Sequence, residues 1–174
     1  MDIPQRIVSA IAAIPNLWTW LYSANLLLIF ALISLPIGFY LGFLKIDLLN
    51  VSWKKAIQIG AICLLTPAIT EELFFRVLLL PHPAENPPIA NQWLWGCISL
   101  IIFVIYHPLN ALTFYPAGRK TFLDPVFLFL ATLLGAICTL VYFQSGSLLP
   151  IVIIHWLIVV VWLLLLGGYQ KLNA

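Results

Sequence analysis

Long apolar runs separated by short polar segments follow one another along the chain. The runs cover about residues 18–43, 56–80, 93–112, 126–143 and 149–166. Each approaches or exceeds the ~20 apolar residues that a helix needs to cross a bilayer core of about 30 Å. No polar segment between them is long enough to fold as a separate soluble module. The pattern predicts an all-α, polytopic transmembrane helix bundle of about five spans, formed by residues 1–174 as a single membrane domain.

Composition agrees with a membrane location and excludes a nucleic-acid partner. Hydrophobic residues make up 63% of the chain and charged residues only 8%, against about 25% charged residues in an average soluble domain. The lipid bilayer is therefore the first expected partner. The eight basic residues are scattered over loops and one intramembrane site, whereas nucleic-acid binding needs basic residues clustered on one face.

The distribution of basic residues indicates an orientation. With five spans, six of them fall on one side of the membrane, whereas the opposite loops, residues 81–92 and 144–148, contain none; the six are Lys45, Lys54, Lys55, Arg119, Lys120 and Lys171. The positive-inside rule then places the N-terminus outside and the C-terminus inside, with Arg6 as the one exception. We expect a multi-pass protein of a bacterial cytoplasmic or thylakoid-type membrane, without a cleaved signal peptide.

The cysteines show no metal-binding or disulfide pattern. Cys63, Cys97 and Cys138 lie singly within apolar runs, where a small core residue is the expected role.

Ionisable residues inside the predicted spans are the candidates for chemistry. Glu71, Glu72 and Arg76 share the second span, while His107 and His155 lie in the third and fifth. A charge at mid-bilayer costs about 2.5–3.5 kcal/mol on insertion scales, so such residues indicate function. Residues four apart share a helix face, which allows Glu72 to pair with Arg76 and leaves Glu71 without a partner on its own helix.

Glu71 and the two span histidines can form one hydrolytic site. At a rise of about 1.5 Å per residue, Glu71, His107 and His155 can lie near a common depth. A carboxylate without a partner can act as general base, and two imidazoles beside it can hold a water molecule. The same three side chains are possible zinc ligands, if a metal is used.

Structural roles for these residues are the alternative. The Glu72–Arg76 pair can serve only to hold helices together, and a membrane histidine often bonds a neighbouring carbonyl. We expect His82, which lies in a proline-rich loop, to be a surface residue. The common depth of Glu71, His107 and His155 favours a site, because independent structural roles would not require it.

Two motifs resemble those of a known family. Glu71-Glu72-Leu73-Phe74-Phe75-Arg76 is similar to the EExxxR motif, and Phe103-Val104-Ile105-Tyr106-His107 to the FxxxH motif, of the CPBP family (CAAX proteases and bacteriocin-processing enzymes, also called Abi). The resemblance covers about residues 56–166. It implies an intramembrane endopeptidase, of metalloprotease or glutamate-dependent type, that cuts a membrane-embedded or lipid-anchored protein or peptide.

The resemblance also implies residue roles. Glu71 would activate the water, His107 would help to hold it, and His155 would stabilise the oxyanion, with Glu72 and Arg76 in support. The family commonly has Asn or Asp four residues after its last histidine, and here that position is Val159. The chain therefore either uses another donor, such as Asn25 or Asn110, or has weakened or lost activity.

The leading prediction is an intramembrane endopeptidase of this type, with no prenyl-binding groove evident from the sequence. One alternative is a weakened or inactive membrane scaffold or immunity protein of the same fold. Another is a small transporter or proton relay, against which the short chain without an internal repeat argues.

Overall fold

The fold consists of helices joined by short connections. The structure is a computed structural model and describes residues 1–173. Its α-helices are α1 (Ile3–Ala12), α2 (Leu17–Tyr40), α3 (Trp53–Cys63), α4 (Thr70–Glu72), α5 (Ile89–Leu112), α6 (Arg119–Phe122), α7 (Pro125–Ser145), α8 (Leu148–Leu165) and α9 (Gly168–Leu172). Wider π-helical turns flank α4 at Leu64–Ile69 and Leu73–Leu78, and single 3₁₀ turns lie at Pro83–Glu85 and Pro116–Gly118.

The prediction of an all-α polytopic bundle is confirmed. Within residues 1–173, four helices are long and apolar enough to cross a membrane, namely α2, α5, α7 and α8. They correspond to the first, third, fourth and fifth predicted spans. The chain is therefore an integral membrane protein.

The second predicted span is an interrupted helix. Thr66 has extended backbone angles, with φ −138° and ψ 111°, and Pro67 follows it. Proline lacks the N–H group that would continue the helical hydrogen bonds, so the segment from Trp53 to Leu78 is divided into α3, α4 and two π-helical turns. This interruption explains why four rather than five helices are continuous over the length of a span.

One end of the bundle, which we call the α1 end, is held by polar contacts between loops. Arg6 Nε of α1 lies 2.6 Å from Glu85 Oε1, in the loop that follows the interrupted helix. Ser147 Oγ, before α8, donates to the carbonyl oxygen of Ala13 at 2.7 Å. Arg6, the exception in the orientation prediction, thus has an acidic partner at this end.

The opposite end, the α9 end, joins the other set of loops. The backbone N–H of Asp47 donates to Leu165 O at 3.0 Å, so the loop after α2 satisfies a carbonyl at the end of α8. Thr121 Oγ1 of α6 donates to Lys171 O of α9 at 2.9 Å. Since residues 45–51 lie at the α9 end and Glu85 at the α1 end, the interrupted segment passes from one end to the other, and the chain makes five traverses.

His82 is buried, and the expectation of a surface residue is wrong. Its side chain is 6% exposed, and Nε2 donates to Gly146 O at 3.1 Å while Nδ1 accepts from Ala84 N–H. Gly146 ends α7 with φ +63°, and a Cβ at this position would lie 2.7 Å from His82 Nε2. The proline-rich loop therefore packs onto the turn between α7 and α8.

The core is built around α7, which packs against α2, α5 and α8. Cys138 and Val141 of α7 are fully buried in a cluster with Val77 and Ile151. Of the three cysteines, Cys138 and Cys63 are buried as expected, whereas Cys97 is exposed. The π-helical turn that contains Val77 thus packs into this core.

Candidate functional site

The predicted ion pair between Glu72 and Arg76 is present and fully buried. Arg76 Nε lies 3.3 Å from Glu72 Oε2, and both side chains are 0% exposed. Arg76 Nη2 also donates to the carbonyl oxygen of Gly135, on α7, at 2.9 Å. These contacts pair the two buried charges and join the interrupted helix to α7. Arg76 Nε and Nη1 and Glu72 Oε2 have no hydrogen-bond partner among the described residues.

The guanidinium of Arg76 is enclosed by α5 and α7. Its Cζ lies 4.5 Å from the centre of the Phe103 ring, a cation–π contact. A Cβ on Gly135 would lie 2.9 Å from Arg76 Nη2 and 2.7 Å from Leu100 Cδ1. The absence of a side chain at Gly135 is therefore what allows the guanidinium to reach the α7 backbone.

His155 is oriented by Glu72 and faces Glu71. Its Nδ1 donates to Glu72 Oε1 at 2.7 Å, and its Nε2 lies 3.8 Å from Glu71 Oε2. A hydrogen bond from one ring nitrogen to a carboxylate fixes both the tautomer and the orientation of an imidazole. The adjacent glutamates thus have different surroundings: Glu72 is held by Arg76 and His155, whereas Glu71 has only the long contact to His155.

His107 lies beside Phe103, one helical turn further along α5. Its Nδ1 donates to Phe103 O at 2.9 Å, one helical turn back on α5. The centre of the Phe103 ring lies 4.9 Å from that of His107 and 6.2 Å from that of His155. One aromatic ring therefore contacts both histidines, which places them at a common depth in the bundle.

A largely apolar cavity of about 470 Å³ opens beside these groups. It is lined from α2, α3, α5, α6, α7 and α8, and Glu71, His107 and His155 all contribute to its wall. Asn110 and Val159 also line it. Asn25 does not: it is exposed on α2, and its amide donates to Leu21 O at 3.0 Å.

A family model matches this region of the chain. The model described as "Type II CAAX prenyl endopeptidase Rce1-like" matches residues 52–161. The chain belongs to this Rce1-like family. Membership confirms the resemblance predicted from the two motifs, and with the four apolar helices it makes the chain an intramembrane protein of the protease kind. No curated protein and no solved structure matches the chain significantly.

The Rce1-like match contains all five predicted site residues but not the whole cavity wall. Residues 52–161 include Glu71, Glu72, Arg76, His107 and His155. Phe30, Ser34 and Leu35 of α2 line the cavity yet precede the matched residues. This part of the wall lies on an element outside the region that the family model describes.

The donor set of this Rce1-like chain does not fit a metal centre as it is arranged. Among residues 1–173, no three His, Cys, Asp or Glu side chains are placed so that they could hold a metal ion. Nδ1 of His155 and Nδ1 of His107 both have protein partners, so each histidine could offer only Nε2. With Nδ1 held in this way, each imidazole has Nε2 left to accept a hydrogen bond from a water molecule.

Sequence reasoning missed two supports of the Rce1-like site. It paired Glu72 with Arg76 but not with His155, because a contact between residues 83 positions apart leaves no local signal. It also gave Phe103 no role beyond the motif. The FxxxH spacing indicates this contact, because residues four apart share a helix face. Phe103 therefore lies next to His107.

Proposed function

We propose that the chain is an intramembrane endopeptidase in which Glu71 activates a water molecule for attack on a peptide bond. The observation that supports this most is the different surroundings of the two adjacent glutamates. Glu72 is held by Arg76 and His155, whereas Glu71 lies on the cavity wall with its Oε2 3.8 Å from His155 Nε2. Glu71 is thus the carboxylate available to take a proton.

The steps follow from the hydrogen-bonding roles of these groups. Glu71 takes one proton from the water, and Nε2 of His107 accepts a hydrogen bond from the same water. The water oxygen attacks the carbonyl carbon, whose oxygen becomes an oxyanion. Protonated His155, held by Glu72, donates to this oxyanion through Nε2. The C–N bond then breaks, and the proton on Glu71 passes to the leaving amine.

The proposed substrate is a membrane-embedded or lipid-anchored protein or peptide. The name of the matching family specifies prenylated CAAX substrates, and the cavity beside Glu71 offers about 470 Å³ lined mainly by apolar side chains. Apolar volume next to a hydrolytic centre suits a substrate with a lipid chain. We extend the proposal to a farnesylated CAAX peptide as the first probe.

Cleavage by wild type and by Glu71→Gln tests the proposal. Both proteins are purified in detergent and incubated with a farnesylated CAAX peptide, the same peptide without lipid, and a library of quenched single-span peptides. We expect wild type to cleave at least one of them and Glu71→Gln to be inactive, because the amide cannot take the proton. Glu85→Gln, which changes the third glutamate of the chain in a loop away from the cavity, is the matched control and should remain active.

Metal dependence is measured in the same preparations. We propose a glutamate-activated water without a resident metal, and therefore expect substoichiometric zinc and an unchanged rate after treatment with a chelator. Stoichiometric zinc together with loss of activity on chelation would contradict the metal-free part of the proposal. It would leave the peptidase assignment in place.

A catalytically inactive scaffold of the same fold is the second candidate. It is favoured by Val159, an apolar residue that lines the cavity one helical turn beyond His155. The same assay separates the two: a folded wild-type protein that cleaves none of the probes would favour the scaffold and refute the peptidase.

A further inference from the structure

Neither histidine offers a hydrogen-bond donor to the cavity while it is neutral. Nδ1 of His107 faces Phe103 O at 2.9 Å, and a carbonyl oxygen only accepts, so Nδ1 carries the hydrogen. Nδ1 of His155 faces Glu72 Oε1 at 2.7 Å and is protonated for the same reason. A neutral imidazole has one N–H group. Both Nε2 atoms therefore present lone pairs, and His155 becomes a donor only when protonated.

Hydrolysis of a peptide bond also needs a hydrogen-bond donor that faces the carbonyl oxygen of the substrate. Negative charge develops on the carbonyl oxygen as water attacks, and fixed donors directed at that oxygen supply much of the catalysis in hydrolases. Through Nε2, the two neutral histidines can accept hydrogen bonds from the water. They cannot donate a hydrogen bond to the oxyanion. A hydrogen-bond donor to the oxyanion that does not depend on the protonation state of His155 therefore has to lie elsewhere on the cavity wall.

Asn110 meets this requirement. Phe103, Tyr106, His107 and Asn110 all line the cavity, and their spacing of three, four and seven residues from Phe103 puts them on one face of α5. Asn110 thus lies one turn beyond His107, on the same wall. It is partly buried, and within the described residues 1–173 its side-chain amide has no hydrogen-bond partner. An amide NH₂ group is therefore free to meet a ligand.

Asn110 also lies at the depth where α8 offers only an apolar group. Helices α5 and α8 run in the same direction, because α7 returns the chain between them, and their histidines share contact with Phe103. Along the helix axes, Asn110 is about 4.5 Å beyond His107 and Val159 about 6 Å beyond His155. Both therefore line the cavity on the α9 side of the histidines, and Asn110 is the polar member of the pair.

We infer that Asn110 is a catalytic residue whose amide donates a hydrogen bond to the oxyanion. This inference rests on the proposed function. When water attacks and the C=O electron pair moves to oxygen, Asn110 Nδ2–H stabilises the new charge. When the C–N bond breaks, the electron pair returns to form the carbonyl. Asn110 gains and loses no proton, so it acts only through this hydrogen bond.

The test compares Asn110→Leu, which keeps the side-chain volume but removes the donor, with Asn25→Ala as the matched control. We expect Asn110→Leu to lower kcat by about 10²–10³, the usual effect of removing one oxyanion donor, with KM changed less than about threefold. Asn25→Ala should match wild type. Adding Val159→Asn to Asn110→Leu should restore kcat at least tenfold, since it places an amide on the facing wall at a similar depth. If Asn110→Leu fails to fold, Asn110→Ala, which also removes the donor, provides the same comparison.

Each outcome decides the inference. An Asn110 variant with wild-type kcat overturns it, and so does one with raised KM and unchanged kcat, which would make Asn110 a substrate-binding residue. Loss of kcat without rescue by Val159→Asn, in a double variant that folds as wild type does, also counts against it. If Glu71→Gln is inactive and Asn110→Leu is fully active, only this inference is refuted. If Glu71→Gln is active or wild type is inactive, the proposed function is refuted and the inference with it.

Discussion

Removal of the buried guanidinium should be among the most damaging single changes to the fold. In Arg76→Met, the carboxylate of Glu72 loses a partner 3.3 Å away, an attraction of roughly 5 kcal/mol at an effective dielectric constant of about 20. The hydrogen bond to Gly135 O and the contact with the Phe103 ring are lost as well. Because breaking a buried pair on one side leaves an unpaired charge, we expect a loss of about 3–5 kcal/mol in the free energy of unfolding.

Unfolding in mixed micelles with increasing SDS measures this loss. Arg119→Met, which removes an exposed arginine of α6, is the control and should change stability by less than about 0.5 kcal/mol. The double variant Glu72→Gln/Arg76→Met should be more stable than Arg76→Met alone, because it has no unpaired carboxylate. A loss below about 1 kcal/mol for Arg76→Met would refute the reasoning, as would a double variant whose loss equals the sum of the two single losses.

Two further predictions concern packing and the α1 end. Gly135→Ala places a Cβ within 3.0 Å of three side-chain atoms, whereas Gly60→Ala meets only one atom at 3.8 Å. In SDS unfolding, we expect Gly135→Ala to lower stability by about 1–3 kcal/mol and Gly60→Ala to be near neutral. Equal losses for the two variants would contradict this expectation. The hydrogen bond from Arg6 lowers the pKa of Glu85 below its usual value. The pair therefore stabilises the fold at pH values above about 4.3, the pKa of Glu in the unfolded chain. This contribution is lost as the pH falls through the lower pKa of Glu85 in the folded protein. Wild type should therefore lose up to about 1 kcal/mol more than Arg6→Gln between pH 6 and pH 3, and identical pH dependence would contradict the assignment.

The sequence was sufficient to predict the four continuous apolar helices and the three ionisable residues that line one cavity, Glu71, His107 and His155. Both are local signals: a run of apolar residues predicts a span, and a charge inside such a run costs free energy that a functional or structural role has to offset. The pairing of Glu72 with Arg76 likewise follows from their spacing on one helix. The confirmed family resemblance depends on the same short motifs.

The parts that could not be predicted depend on contacts between distant positions. The burial of His82 requires Gly146, 64 residues later, and no local pattern distinguishes such a histidine from an exposed one in a proline-rich loop. The interruption of the second span at Thr66 was not predicted either, because neighbouring helices decide whether a proline such as Pro67 bends a membrane helix or breaks it. The roles of Asn25 and Asn110, left open by the sequence, depend on which of them lines the cavity.

The break in the second traverse bears on how the proposed reaction would obtain its water. Within a bilayer, backbone that leaves the helical path is tolerated only against protein or a hydrated space. Thr66 and Pro67 line the same cavity as Glu71, so the irregular backbone of Thr66 faces the space beside the proposed general base. Water in the cavity at this point would lie within the membrane interior and less than two helical turns from Glu71, the carboxylate proposed to deprotonate it.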